Sequence, residues 1–440
     1  MITLRFKISC LVLILVQTTS YTQGPWEKTT VPTNQFLKSV CFVDSLYGWA
    51  AGDSGTIIHT SDGGDTWIIQ DSQTQNDIVS IFFLNRNLGW ASSLNYTTPP
   101  FGTVLLKTTN GGNSWISEPY PEENIFINCI LFLDSLNGWM GGNPHALLKT
   151  TNGGLNWTKA ETDTTIFSFF PVLKIYFYNE QYGYACGGMF DIAGVIWRTS
   201  NGGQKWYTID PSDAPADEVR GLHLFDSMNV LGAGGDPDYG YGVGMIRTSD
   251  GGVNWDYEEL GIQGNAYDLD FRNSNEVWAP LGPRAKFICS FDAGSTWMQI
   301  PTPDSTLIYD MTFPDSLHGF AVGAKGAVLR FNTEIIPSVE YGSSSSSYKV
   351  NVYQNQPNPF ERTTAIRYKL SAFSRVVLKV FDVFGIEIIT LLDSEMPPGS
   401  YEVPFDASGL HGGIYFYRLT ASLPGAGGTF SETRKMVLLK

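Results

Sequence analysis

Thr60-Ser61-Asp62-Gly63-Gly64-Asp65-Thr66-Trp67 is the stretch that decides the fold. Variants of this octapeptide end at Trp115, Trp157, Trp206, Trp255 and Trp297, at successive intervals of 48, 42, 49, 49 and 42 residues. Trp26 lies 41 residues before Trp67 and has no octapeptide in front of it. A period of about 40–50 residues marks a propeller or a solenoid. The chemistry of the octapeptide is structural. Asp62 is placed to accept backbone N–H bonds within its own turn, and Gly64 to take a conformation that other residues resist. Thr66 is expected to bond back across the hairpin, and Trp67 to pack between repeats.

Each repeat has a second signature upstream. Phe42-Val43-Asp44-Ser45-Leu46-Tyr47-Gly48-Trp49-Ala50 returns as Phe132 to Met140 and as Phe313 to Ala321, with looser copies from Phe83, Phe177 and Phe271. The copy near Phe225 is the most worn. This half reads as strand, turn, strand. The other half, as in Thr103 to Lys107 followed by the turn ending at Trp115, adds a third and a fourth strand. Four short strands per period without helical periodicity make a propeller blade. Six octapeptides give six blades. A seventh begins at Leu307 to Met311 and lacks its fourth strand, whereas Trp26 is a fourth strand without a blade. Pairing the two closes a ring of seven and hides its sheet edges.

These octapeptides resemble the Asp-box, or bacterial neuraminidase repeat. The match is sharp at Asp62, Gly64, Thr66 and Trp67, and at Ser290, Asp292, Gly294, Thr296 and Trp297. It is good at Thr248, Asp250, Gly252 and Trp255. Asn110, Asn152 and Asn201 stand in for the aspartate before Trp115, Trp157 and Trp206, and asparagine also caps turns. With the Gly-Trp-Ala strand, the repeats look like the photosystem II assembly and stability factor propellers over roughly residues 25 to 335. Such propellers also occur in exported proteins of bacteria without a photosystem.

The chain has 440 residues, 42% hydrophobic and 16% charged, with a net charge of −15. That acidity argues against a general nucleic-acid or anionic-membrane binder. Arg5 and Lys7, the apolar run Ile8 to Val16 and the small residues Thr18 and Ser20 read as a secretory signal peptide over 1–20. No other segment is expected to span a membrane. Cys41, Cys129, Cys186 and Cys289 match no zinc spacing and read as buried free thiols. After a ring over 21–335, Ser343 to Ser347 mark a flexible linker over 336–349.

Residues 350–440 read as a small Ig-like β-sandwich, so the whole chain is expected to be all-β. Tyr353-Gln354-Asn355-Gln356-Pro357-Asn358-Pro359-Phe360, Thr364 to Tyr368, Val380 to Gly385, Gly413 to Leu419 and Lys435 to Lys440 resemble, in order and spacing, the type IX secretion sorting domain. The resemblance implies export across the outer membrane, with the secretion machinery as a partner and a secreted or cell-surface product.

A sialidase would need an arginine cluster and a tyrosine nucleophile paired with a carboxylate. Arg198 and Arg247 instead share one repeat position with His59, Lys107, Lys149 and Arg330, just before the octapeptide. Equivalent positions form a ring and not a clamp. These six are the candidate binding residues, as a positive band on an acidic protein; the alternative is a row of solvated strand ends. Gly52-Asp53-Ser54-Gly55 falls at a hairpin and reads as a turn, not a protease nucleophile. The acidic, aromatic insertion Asp236 to Gly242 reads as a binding loop. Asn95-Tyr96-Thr97 is a glycosylation sequon. No catalytic residue, metal or cofactor is expected. The resulting expectation is an exported, non-catalytic propeller binding a protein or glycan at or beyond the cell surface. The alternatives are a secreted, sialidase-like glycoside hydrolase and an assembly factor docking on a membrane-protein partner.

Overall fold

The computed structural model describes residues 24–144, 146–163, 165–189, 192–209, 215, 217–235, 242–333, 350–370, 374–383, 386–396, 399–422 and 429–439. The expected signal peptide, the serine linker and the insertion at 236–241 lie outside the described residues. The chain divides into two compact units, Met1–Ser338 and Val339–Lys440. No helix among the described residues is long and apolar enough to cross a membrane.

In the first unit the described strands form seven antiparallel sheets that follow one another along the chain. Leu37–Phe42, Gly48–Gly52, Ile57–Thr60 and Ile68–Gln70 make the first sheet, in that order. In the fourth sheet Glu161–Thr162 adds a short parallel strand beside Lys205–Thr208. The first strand of each sheet packs against the first strand of the next, and the seventh packs against the first. The ring is therefore closed around these strands.

Its closure joins the two ends of the repeat region. Trp26–Lys28 pairs antiparallel with Ala327–Phe331, setting Trp26 opposite Phe331 and Lys28 opposite Leu329. Trp26 is 1% exposed. Its indole stacks on Phe287 at 4.9 Å and meets Phe331 edge-on at 5.1 Å. The expected pairing of the orphan fourth strand with the incomplete last repeat is what the structure shows.

The Gly-Trp signature has a packing cause. Trp49, Trp90 and Phe320 stack on Phe83, Phe132 and Phe42 of the following sheet at 3.6, 3.6 and 3.7 Å. The octapeptide tryptophan of that following sheet then meets the same phenylalanine edge-on, Trp115 on Phe83 and Trp157 on Phe132. Each phenylalanine also lies over the glycine of its own sheet. A Cβ on Gly48 would come within 2.3 Å of the Phe42 ring, and one on Gly138 within 2.5 Å of Phe132. Glycine is required there by close approach. Offset aromatic pairs of this kind add about 0.5–1.5 kcal/mol each beyond their area.

The second unit has two sheets. One runs Val350–Val352, Thr363–Leu370, Gly399–Asp406; the other runs Glu387–Met396, Ser374–Phe381, Gly413–Ser422, Thr429–Leu438. Ile366, Tyr368, Leu378, Tyr417, Leu419 and Met436 share one core. The C-terminal motif pairs as the last strand, with Met436 opposite Tyr415 and Leu438 opposite Gly413. The Tyr417 hydroxyl donates to the Tyr353 carbonyl at 2.8 Å and accepts the Asn355 N–H at 2.9 Å, which fixes the segment that opens this unit.

Candidate functional site

The octapeptides are built alike, and their chief polar residue is not the one the sequence singled out. Thr60 is 1% exposed, and its hydroxyl accepts the Gly64 N–H at 2.9 Å while donating to Asp62 at 2.8 Å. Thr108, Thr150, Thr199, Thr248 and Ser290 repeat both bonds. Asp62 accepts the Thr66 hydroxyl at 2.6 Å and the Thr66 N–H at 2.9 Å, which hold its carboxyl down to about 2. Thr66 thus bonds within the turn and not across the hairpin as expected. Gly64 has φ +82°, the left-handed region that favours glycine. Trp67 is buried against Val322 and Val328 of the neighbouring sheet.

Five of the six residues of the candidate basic band are tied to the next sheet. Lys107 and Lys149 donate to the carbonyls of Gly153 and Gly202 at 2.8 and 2.7 Å, and Arg198 to that of Gly251 at 2.7 Å. Each acceptor is the fourth residue of the following octapeptide. Arg247 bonds the Gly294 carbonyl and Arg330 the Asp65 carboxylate. His59 lies flat on Trp49 at 4.6 Å and contacts the Gly48 carbonyl of its own sheet at 3.0 Å. Lys107, Lys149, Arg198 and Arg247 thus each set a cation on a carbonyl of the following octapeptide and fasten one sheet to the next, whereas Arg330 pairs with a carboxylate and His59 stays within its own sheet. Three further arginines of the first unit are also held locally, Arg86 by Asp44, Arg220 by Glu218 and Arg272 by Glu276.

The residues that the sequence reading missed line the centre of the ring. The first strands of the sheets enclose a cavity of roughly 510 Å³. Ser39, Ser80, Cys129, Lys174, Gly221, Asp268 and Asp310 occupy one repeat position, three residues before the end of the Phe-Asp-Ser strand or its equivalent. Several stitch one sheet to the next. Ser39 accepts the Ile81 N–H at 3.2 Å, Ser80 that of Ile130 at 3.3 Å, Asp268 that of Met311 at 3.2 Å and Asp310 that of Val40 at 2.8 Å. Asp270 accepts the Phe313 N–H at 2.7 Å.

Lys174, in the fourth sheet, reaches across the channel to Asp268 in the sixth and to Asp310 in the seventh, the latter at 2.9 Å. Burial opposes its charge, yet the two carboxylates outweigh burial and hold the ammonium well above the usual lysine range. Burial pushes Asp270 and Asp310 up to about 7, against their N–H donors and Lys174. His223, stacked on Phe271 at 3.9 Å, is pushed by burial down to about 4. Among the described residues no group of three or more His, Cys, Asp or Glu side chains is arranged to hold a metal ion. Cys41, Cys129, Cys186 and Cys289 are free thiols, and burial raises Cys41 to about 11 and Cys129 to about 12. Asp53–Gly55 is a single helical turn at a hairpin, not a nucleophile elbow.

A ring of this build has known counterparts. The family model described as Photosynthesis system II assembly factor YCF48 matches residues 18–117 and 101–214. The ring is similar to the photosystem II assembly factors. Photosystem II assembly lipoprotein Ycf48 of Picosynechococcus sp. is 25% identical over 370 residues, 74% of this chain and 94% of the relative. Photosystem II stability/assembly factor HCF136 of Arabidopsis thaliana is 22% identical over 333 residues, 70% of this chain and 79% of the relative. Among solved structures, YCF48 bound to D1 peptide superposes with a TM-score of 0.57 at 23% identity, covering 70% of this chain and 97% of that one. The GH74 enzyme of Niastella koreensis gives 0.55 at 15% identity, covering 92% and 74%. At that identity the GH74 likeness concerns the fold alone. The sequence relatives are named as photosystem II assembly and stability proteins, and the GH74 enzymes appear only among the structural neighbours. These relatives favour the assembly-factor alternative over the expected exported binder of a protein or glycan at or beyond the cell surface.

Proposed function

We propose that the ring is a non-catalytic docking platform for a segment of a protein partner, acting as an assembly factor on a membrane protein. The observation that carries this reading is the likeness of the whole ring to photosystem II assembly factors, one of which was solved with a D1 peptide bound. The build of the ring agrees with it. Aromatic sandwiches and basic fasteners make a stiff scaffold, and a stiff scaffold lowers the ordering cost of binding. The seven sheets are taken as seven propeller blades, and the second unit as an Ig-like sorting sandwich that sends the protein through type IX secretion to the cell surface or beyond.

Two experiments test the two halves. The full chain is screened against arrays of peptides from membrane-protein loops and tails, and against glycans, with glycoside hydrolysis assayed in parallel. Saturable peptide binding without turnover is expected; glycan binding with hydrolysis would replace this reading with a hydrolase. Deletion of 350–440 in a host with type IX secretion is expected to leave the ring in the periplasm. Normal surface delivery of the truncated chain would reassign the sandwich as an adhesive module.

A further inference from the structure

One end of the ring is edged with aromatic side chains. The first strands all run in one sense, from this end to the Phe-Asp-Ser turns or their equivalents at the other. Phe36 precedes Leu37–Phe42 of the first sheet, Phe126 opens Phe126–Phe132 of the third, and Tyr309 is the second residue of Ile308–Asp315 of the seventh. Tyr267 lies just before Asp270–Phe271 of the sixth. Tyr96 stands in the hairpin between Gly89–Asn95 and Gly102–Thr108 of the second, which turns at the same end.

These rings join into an arc on the surface, outside the central cavity. Tyr267 meets Tyr309 edge-on at 4.8 Å, Tyr309 meets Phe36 at 4.8 Å, and Tyr96 stacks on Phe126 at 4.6 Å. Lys38 links the two groups. Its ammonium lies 5.9 Å from the centre of the Phe36 ring, and its charge and that of Asp77 both act on the Tyr96 phenol. The Arg220 guanidinium ends the arc, 4.9 Å from the centre of the Tyr267 ring. Gly282 backs the two tyrosines: a Cβ there would come within 2.5 Å of Tyr267 and 2.9 Å of Tyr309. Tyr96 is 62% exposed, and the other four rings are half-buried.

Both cations of the arc are already neutralised, Lys38 by Asp53 and Asp77, and Arg220 by Glu218. The hydroxyls of Tyr96, Tyr267 and Tyr309 donate no hydrogen bond among the described residues. The arc thus offers aromatic faces and hydroxyl donors, with its own charges spent. A charged segment laid on it would lose hydration without gaining a partner. A helix uses its own carbonyls, whereas an extended proline-rich chain leaves them free to accept. Aromatic-lined grooves take such chains for that reason, and tyrosines held in place lose little freedom on binding.

We infer that this arc docks an uncharged, extended polypeptide segment rich in proline and aliphatic side chains. The inference rests on the protein-docking reading above and says where the segment lies and what it is made of.

The test is calorimetric titration of the full chain at low and at high salt. The probes are a nonapeptide of three proline-leucine-proline units blocked at both ends, the same peptide with lysine or with glutamate in place of leucine, and cellohexaose. The leucine peptide is expected to bind equally at both salt concentrations, and the two charged peptides at least about tenfold more weakly. Tyr96→Ala is expected to weaken binding about tenfold and Tyr309→Phe, which removes only a hydroxyl, about fivefold. Tyr178→Ala, exposed at the opposite end of the fourth sheet, is expected to change nothing. Charged peptides that bind as well as the leucine peptide overturn the inference, and so does cellohexaose bound in its place. If the tightest array peptide keeps wild-type affinity in Tyr96→Ala and Tyr309→Phe chains with wild-type urea midpoints, the arc is refuted and the docking reading stands. If no array or probe peptide binds at all, both readings fall.

Discussion

Truncating Trp26 to alanine tests how much the ring depends on its closure. The indole is 1% exposed and touches Trp278, Phe287, Phe313 and Phe331. A buried tryptophan removes roughly 150–250 Å² from water. At about 25 cal/mol per Å² that is roughly 4–6 kcal/mol. Measured truncations of buried phenylalanine and tryptophan cost about 3–5 kcal/mol, because the cavity relaxes only in part. The Trp26 N–H is buried without an acceptor, and its loss offsets about 1 kcal/mol. The net expectation is about 3–4 kcal/mol. Urea unfolding followed by tryptophan fluorescence is the assay, since all 12 tryptophans lie in the first unit and the signal reports the ring alone. Amide exchange should also quicken along Ala327–Phe331, the strand that Trp26–Lys28 covers. A loss below about 1 kcal/mol with unchanged exchange in that strand would refute a ring latched by its first strand.

Three further outcomes follow from the geometry. Thr60→Val leaves the Gly64 N–H buried without an acceptor and should cost about 1–3 kcal/mol, more than Asp62→Ala, whose bonds to Thr66 are exposed; urea midpoints of the two variants decide the order. Lys149→Met keeps the apolar stem but loses the bond to the Gly202 carbonyl, and a loss of about 1–2 kcal/mol in the same unfolding assay is expected, without loss of any bound peptide. Asp270 has its folded pKa raised from 3.8 to about 7, so its contribution to stability is fully present below about pH 3.8 and fades as pH rises through 7. Asp270→Asn should therefore gain on wild type by about 1–3 kcal/mol between pH 5 and 8.5, the full shift being discounted because the side chain is half-buried; parallel urea curves across that range give the sign.

The repeat made most of the ring legible. Trp67 to Trp297 set the period, Phe42 to Ala50 set the first hairpin, and the unmatched Trp26 pointed to the closing strand. Local turn chemistry and hydrophobic order carry that information along the chain. The basic position before each octapeptide was legible as a repeat, but its role was not. Whether Lys149 faces solvent or the Gly202 carbonyl depends on the neighbouring sheet, 53 residues away. The channel was the least legible part. Lys174 meets Asp268 and Asp310 at separations of 94 and 136 residues, and no local pattern joins them. A signal did exist: aligning the repeats on the Phe-Asp-Ser strand puts Ser39, Ser80, Cys129, Lys174, Gly221, Asp268 and Asp310 in one column, where a lysine and two aspartates stand out. Thr60 was overlooked because the aspartate two residues later carries the resemblance, although the hydroxyl makes the buried bond.

The most direct measurement for the docking role is a hydrogen-exchange footprint of the full chain, with and without the tightest peptide from the array. Protection of amides in the first strands of the sheets and in the hairpins that join them is predicted, with 350–439 unchanged. Protection confined to 350–439, or no peptide binding beside turnover of a glycan, would contradict the account.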